Sequence, residues 1–232
     1  MNANNIKKIS LCFIIMALIT GCAGSRNIPD WNYAAFNRLE DFKQAALEGR
    51  TTIAELHFQR AVEEIKKSGD LALLGRAYLN RYAVQTALLE SFDDGEFQNI
   101  QAVHPDRENA AFLAFLKGFF DRTDSKLLPS PYAAAQKDLL EGNAKHDVHK
   151  RVRLLQDLRE TPDDLSRLII TGRLVLSGYE EEEILQDAME IASRRGWKKA
   201  LLVYLNRLQI FYEGRQEHGK SRIIGERMKL IQ

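Results

Sequence analysis

From about residue 30 onward, one helix-forming pattern follows another, and almost nothing in the chain can be a strand. Apolar side chains recur at i, i+3, i+4 and i+7, and residues that start or stop helices separate the runs. Asp30 caps a helix predicted over residues 31–48, and Gly49 ends it. Thr52-Ile53-Ala54-Glu55 has capping-box spacing and opens a helix ending at Gly69. Asp70 caps the next helix, which runs to about Ser91, and residues 92–105 read as a looser connection. Further helices are predicted at 106–121, 131–141, 144–160, 163–177, 180–195, 197–213 and 220–231. Ser130-Pro131 and Thr161-Pro162 each place proline at a first helical position. Gly178, Gly196 and either Gly214 or Gly219 are the expected stops. No segment sustains period-2 alternation with β-branched residues. The expected fold class is all-α: an irregular stack of helical hairpins, arranged as an α-solenoid or a helical bundle.

The first 22 residues follow a different logic. Lys7 and Lys8 precede an apolar stretch, Ile9 to Ile19, and Thr20-Gly21-Cys22 closes it. Eleven apolar-stretch residues fit the ~7–15 of a secretory signal core and fall short of the ~20 that span a bilayer. The ending Leu18-Ile19-Thr20-Gly21-Cys22 resembles the lipobox of bacterial lipoproteins. That resemblance implies that residues 1–21 are removed and that Cys22 is lipidated on its thiol and amine, palmitate included. It also implies an outer-membrane location facing the periplasm, because Ala23 stands where that family carries Asp for inner-membrane retention. The expected organisation is a signal at 1–21, a lipidated tether at 22–30 and one helical domain at 31–232. As a random coil, the tether would span roughly 15 Å, so the body should sit close to the membrane.

Loss of Lys7 and Lys8 with the signal takes the basic residues from 33 to 31, against 32 acidic ones. A chain near net −1 lacks the basic excess of a nucleic-acid binder, so no nucleic-acid partner is expected. Cys12 leaves with the signal, and Cys22 is the one cysteine left. With its thiol acylated, neither a disulfide nor a thiol nucleophile is expected.

Two hairpins carry related spacings. Leu71-x2-Leu74-Gly75-x2-Tyr78 resembles the first helix of a tetratricopeptide repeat, with Leu for Trp, and Ala54-x3-Phe58-x2-Ala61 resembles that family's second helix. Trp197-x2-Ala200-Leu201-x2-Tyr204 keeps the Trp-to-Tyr spacing, with Leu201 where the repeat has Gly, and Tyr-Leu-Asn-Arg occurs at both 78–81 and 204–207. The resemblance implies close helix contacts at Ala61 and Gly75 within the hairpin 52–91, and a body that docks other proteins.

Three motifs suggest chemistry. Gly214-x4-Gly219-Lys220-Ser221 satisfies the phosphate-cradling pattern of nucleotide-binding loops, but a helical pattern precedes it and little chain follows. It reads as a polar turn at Gly219, and no nucleotide is expected. Ala87-Leu88-Leu89-Glu90-Ser91-Phe92 resembles the Glu-Ser core of helical lytic transglycosylases, which would make Glu90 a general acid and base. That family's Gly-Leu-Met-Gln and Ala-Tyr-Asn-Ala-Gly segments are missing. His146 and His149, with Asp147, could share a helical face toward a metal, but a third ligand is not evident, and His57, His104 and His218 are scattered. Glu180–Glu183 suit a helix start. The expected protein is therefore not an enzyme and has no catalytic residue, cofactor or metal. It is a periplasmic scaffold on an outer-membrane lipid anchor, with an envelope protein as partner. The alternative is an envelope hydrolase acting through Glu90.

Overall fold

Aspartates start several of the helices, and left-handed residues stop them. The computed structural model describes residues 29–140 and 148–231. Contacts divide the chain after Asp30, and Trp31–Gln232 forms one compact unit. Eleven α-helices occur among the described residues: α1 (Asp30–Glu48), α2 (Thr51–Lys66), α3 (Leu71–Ala87), α4 (Gly95–Val103), α5 (Arg107–Lys117), α6 (Ser130–Leu140), α7 (Val148–Glu160), α8 (Asp164–Leu176), α9 (Glu182–Arg195), α10 (Lys198–Gly214) and α11 (His218–Ile231). Two single 3-10 turns, Phe120–Arg122 and Ser125–Leu127, link α5 to α6, and no strand occurs among the described residues. The all-α expectation holds. The signal at 1–21, Cys22, Ala23, His146 and Asp147 lie outside the described residues.

The cap chemistry is local and physical. The carboxylates of Asp70, Asp106 and Asp163 accept the backbone N–H three residues on, at 2.9, 2.8 and 2.7 Å. Each satisfies a helix-start donor that has no partner within the helix. At the other ends, Gly49, Gly118, Gly178 and Gly196 take φ between +70° and +92°. In each case the next residue's N–H reaches back five residues, as Phe119 does to the Ala114 carbonyl at 2.9 Å.

Several sequence expectations need correction. Thr52 and Glu55 form no capping box: Arg50 is the cap residue and no side chain caps this start, while Glu55 accepts from Gln59 and pairs with Arg81. α3 stops at Ala87 rather than Ser91, because Leu89 turns left-handed at φ +57° and Glu90 N–H bonds the Gln85 carbonyl at 2.8 Å. The stretch read as loose holds α4, which buries Phe97 and Ile100. Pro162 precedes α8 instead of opening it. After α10 the left-handed residue is Gln216, at φ +61°; Gly219 is helical.

The core centres on α3, which packs against α2, α4, α5 and α8. Its crossing with α8 is close to backbone contact. A Cβ on Gly172 of α8 would lie 2.1 Å from the Thr86 carbonyl oxygen and 3.2 Å from Ala87 Cα. The fully buried Tyr204 of α10 completes this junction. Its hydroxyl donates to the Ala87 carbonyl at 2.9 Å, with the Leu168 carbonyl at 3.2 Å. Ala87 is the last residue of α3, so its carbonyl has no partner in its own helix. Arg173 likewise reaches from α8 to the end of α5, donating to the Leu116 carbonyl at 2.8 Å. A cation there also suits the helix dipole.

Trp197 Nε1 donates to Gln44 of α1 at 2.7 Å, bringing the start of α10 to the end of α1. A solenoid's hairpins touch only their sequence neighbours. The α3–α8 and α1–α10 contacts cross that order, so the bundle alternative describes the packing better. Ala61 is fully buried, as the small-residue argument expects. Gly75 is a correction: a Cβ there would meet Asn109 Nδ2 at 3.2 Å and Phe97 at 3.5 Å, in α5 and α4, not its hairpin partner α2.

Candidate functional site

The residues singled out in the sequence do not converge. Glu90 follows the left-handed Leu89, at the rim of a cavity of about 100 Å³, where its carboxylate pairs with Lys199 Nζ at 2.6 Å. The nearest other carboxylate lining that cavity, Glu55, is held by Arg81 at 2.8 Å. Both are tied in ion pairs, Glu90 from the α3–α4 connection to α10 and Glu55 from α2 to α3.

Lys220 sits in the first turn of α11. Its ammonium bonds Glu217 at 2.7 Å and Glu182 at 3.3 Å, and lies 4.9 Å from the Tyr212 ring centre. These carboxylates, Glu217 first, hold the lysine above its ordinary pKa. A phosphate loop needs a strand before it and free backbone N–H groups around the ligand. Here α10 precedes the segment and Gly219 is inside a helix. Glu182 also accepts the Tyr212 hydroxyl at 2.8 Å, and that bond, aided by Lys220, keeps it below the usual carboxylate range. Glu180 pairs with Arg207. The acidic run therefore works as a clasp between α9, α10 and α11.

Among the described residues no three His, Cys, Asp or Glu side chains group as metal ligands. His57 Nδ1 stands 3.4 Å from Asp41 and from Arg38, while His104 and His218 are exposed. No helix among the described residues is long and apolar enough to cross a membrane.

A cleft of about 610 Å³ lies between α3, α5 and α8, walled by the second 3-10 turn and the start of α6. Helix periodicity supplies its floor: Leu79 and Ala83 of α3, Phe112 of α5 and Ile169 of α8 turn inward together. Asn109 is set among them, nearly fully buried, with Nδ2 donating to the Ala72 carbonyl at 2.9 Å. Tyr132 donates to Ser166 Oγ at 2.9 Å, and burial pushes its phenol up to about 12, so it stays protonated. Charged groups form the rim. Lys43 is held by Glu40 at 2.5 Å, Arg76 lies 3.7 Å from the exposed Glu108, and Lys126 has no carboxylate partner among the described residues. Asp163 faces the cleft but its carboxylate is occupied as the α8 cap. The lining holds neither histidine nor cysteine. It offers apolar contact and side-chain hydrogen bonding in one concave surface.

Sequence reasoning missed this cleft because its lining is drawn from helices far apart in the chain. The usable cue was polar residues on otherwise inward-facing stripes, namely Asn80 beside Leu79 and Asn109 beside Phe112. The chain matches no protein-family model, no curated protein and no solved structure.

Proposed function

We propose that this chain is an outer-membrane lipoprotein, anchored through acylated Cys22, and that its helical body is a periplasmic scaffold holding a segment of another envelope protein in the α3–α5–α8 cleft. The observation that carries the reading is the ordered N-terminal signature: Lys7 and Lys8, the apolar run Ile9–Ile19, and Leu18-Ile19-Thr20-Gly21-Cys22. Charge, length, small residues and cysteine all fall in the order that lipid modification requires. Two acyl chains or more give stable attachment where one gives only marginal binding. The cleft supports the scaffold half of the proposal by its mixed apolar floor and polar rim.

Labelled palmitate fed to cells should enter the native chain and not the Cys22→Ser variant, which should leave the outer-membrane fraction. Retention of that variant in the membrane overturns the anchor. A photo-crosslinking side chain in place of Lys126 should give one discrete adduct in cells, and Asn80→Trp, which fills the cleft, should remove it. An adduct indifferent to the filled cleft overturns the assignment of the binding face. The hydrolase alternative makes the opposite forecast: clearing on a peptidoglycan zymogram that is lost in Glu90→Gln.

A further inference from the structure

α1 buries Ala35, Phe42 and Ala45 along one face, and Leu47 near its carboxyl-terminal end. Its other face opens with Tyr33 and Phe36, which are 66% and 58% exposed and, three residues apart, lie side by side. They are the two most exposed aromatic residues among those described. The next, Phe119, has Lys117 and Arg122 at 5.6 and 5.4 Å from its ring centre. Among the described residues, no ring and no cation covers Tyr33 or Phe36. An uncovered Tyr–Phe pair fits a boundary that is apolar on one side and wet on the other.

Chain length says which boundary can reach it. Eight peptide steps separate Cys22 from Asp30, and even fully extended these cover at most roughly 28 Å. Tyr33 and Phe36 follow within ~9 Å along the axis of α1. The apolar surface then stops, since the next exposed positions on this face are Asn37 and Glu40. The aromatic patch is thus about one turn deep, ~5 Å, which matches the ~5–10 Å depth of a contact at the headgroup boundary.

We propose that Tyr33 and Phe36 dock on the headgroup–acyl boundary of the same bilayer that holds the Cys22 lipids, so that the amino-terminal end of α1 is a second membrane contact. This rests on the lipoprotein reading. The acyl chains would then supply the affinity and the aromatic pair would remove the freedom of the body to swing on its tether.

The mature lipidated chain suits the test, because an Asn37→Cys substitution supplies its one free thiol. An environment-sensitive dye there, on vesicles of phosphatidylethanolamine and phosphatidylglycerol, should shift to the blue and be quenched by doxyl-labelled lipid. The same dye at Arg222→Cys should do neither. Adding Tyr33→Ser and Phe36→Ser should abolish the shift and the quenching while acylation and vesicle attachment persist. An attached, acylated protein whose Asn37 dye is unshifted overturns the proposal and leaves the anchor standing. A shift that appears without vesicles and grows with protein concentration also overturns it, since a second copy then covers the face. A chain that takes no label from palmitate removes the anchor and the docking together.

Discussion

Gly172→Ala sets two known effects against each other. Alanine in place of a helical glycine normally stabilises by up to ~1 kcal/mol through backbone entropy. The α8–α3 crossing opposes this. The new methyl would stand 2.1 Å from the Thr86 oxygen, 2.9 Å from the Thr86 carbonyl carbon and 3.2 Å from Ala87 Cα. A comfortable carbon–oxygen contact is about 3.3–3.6 Å, so α8 must retreat by more than about 1 Å. The obstacles are backbone atoms and cannot rotate aside. Overpacking of this kind costs roughly 1–3 kcal/mol and at times more. The retreat would also stretch the Tyr204 bond to the Ala87 carbonyl, a further ~1 kcal/mol. The expected net loss is about 2 kcal/mol. With a urea slope near ~3 kcal/mol/M, the midpoint of mature protein should fall by about 0.7 M at constant slope. Helix circular dichroism during urea unfolding measures it. Gly219→Ala is the matched control, since that helical glycine has nothing within 4 Å of the added carbon and should gain stability. If Gly172→Ala is as stable as Gly219→Ala, the close crossing does not exist.

Tyr204→Phe should cost about 1–2 kcal/mol in the same assay, because it leaves the buried Ala87 carbonyl without its donor; an unchanged midpoint would remove Tyr204 from the junction. Burial alone would raise the Asp164 carboxyl, but hydrogen bonds from Arg195 and Arg194, at 2.6 and 2.8 Å, outweigh it and hold the group below its ordinary 3.8. Its stabilising contribution is therefore complete above that value and is lost as pH falls through the lower folded-state value, so the melting temperature of wild type should converge on that of Asp164→Asn only below about pH 4. Lys220→Ala should leave folding and localisation intact, and calorimetry with ATP or GTP should detect no binding to either protein; micromolar affinity lost in the variant would refute the helical reading of Gly214–Ser221.

What was legible in the sequence was whatever the chain encodes locally. Asp70 announces α3, and Gly49 and Gly196 announce helix ends, because a short carboxylate or a missing Cβ is the chemistry those positions need. Leu89 and Gln216 do the work of such glycines without the signature. Leu89 packs against the core, which offsets the strain of its left-handed backbone but leaves no mark in its residue type. α4 went unseen because nine residues with two buried apolar positions are too few to show a period, and its entry, Asp93-Asp94-Gly95, reads as a turn. Gly75 was correctly singled out as a close approach and assigned to the wrong neighbour, since spacing reveals that a residue must be small and not what presses on it. The cleft was illegible for the same reason: Leu79, Phe112 and Ile169 meet only through the tertiary fold.

The Tyr204–Ala87 bond joins residues 117 apart, and that separation has a consequence for the order of folding. As the chain emerges, α1 to α5 can pair with their neighbours, but the last turn of α3 has neither its covering helix nor its hydroxyl donor until α8 and α10 arrive. Contacts of such long sequence separation form late and slow the overall rate. A chain cut before residue 164 would leave the backbone of Thr86 and Ala87, which Gly172 of α8 covers, open and prone to self-association. The amino-terminal hairpins are thus not a detachable module, and limited proteolysis should release no stable fragment from this half.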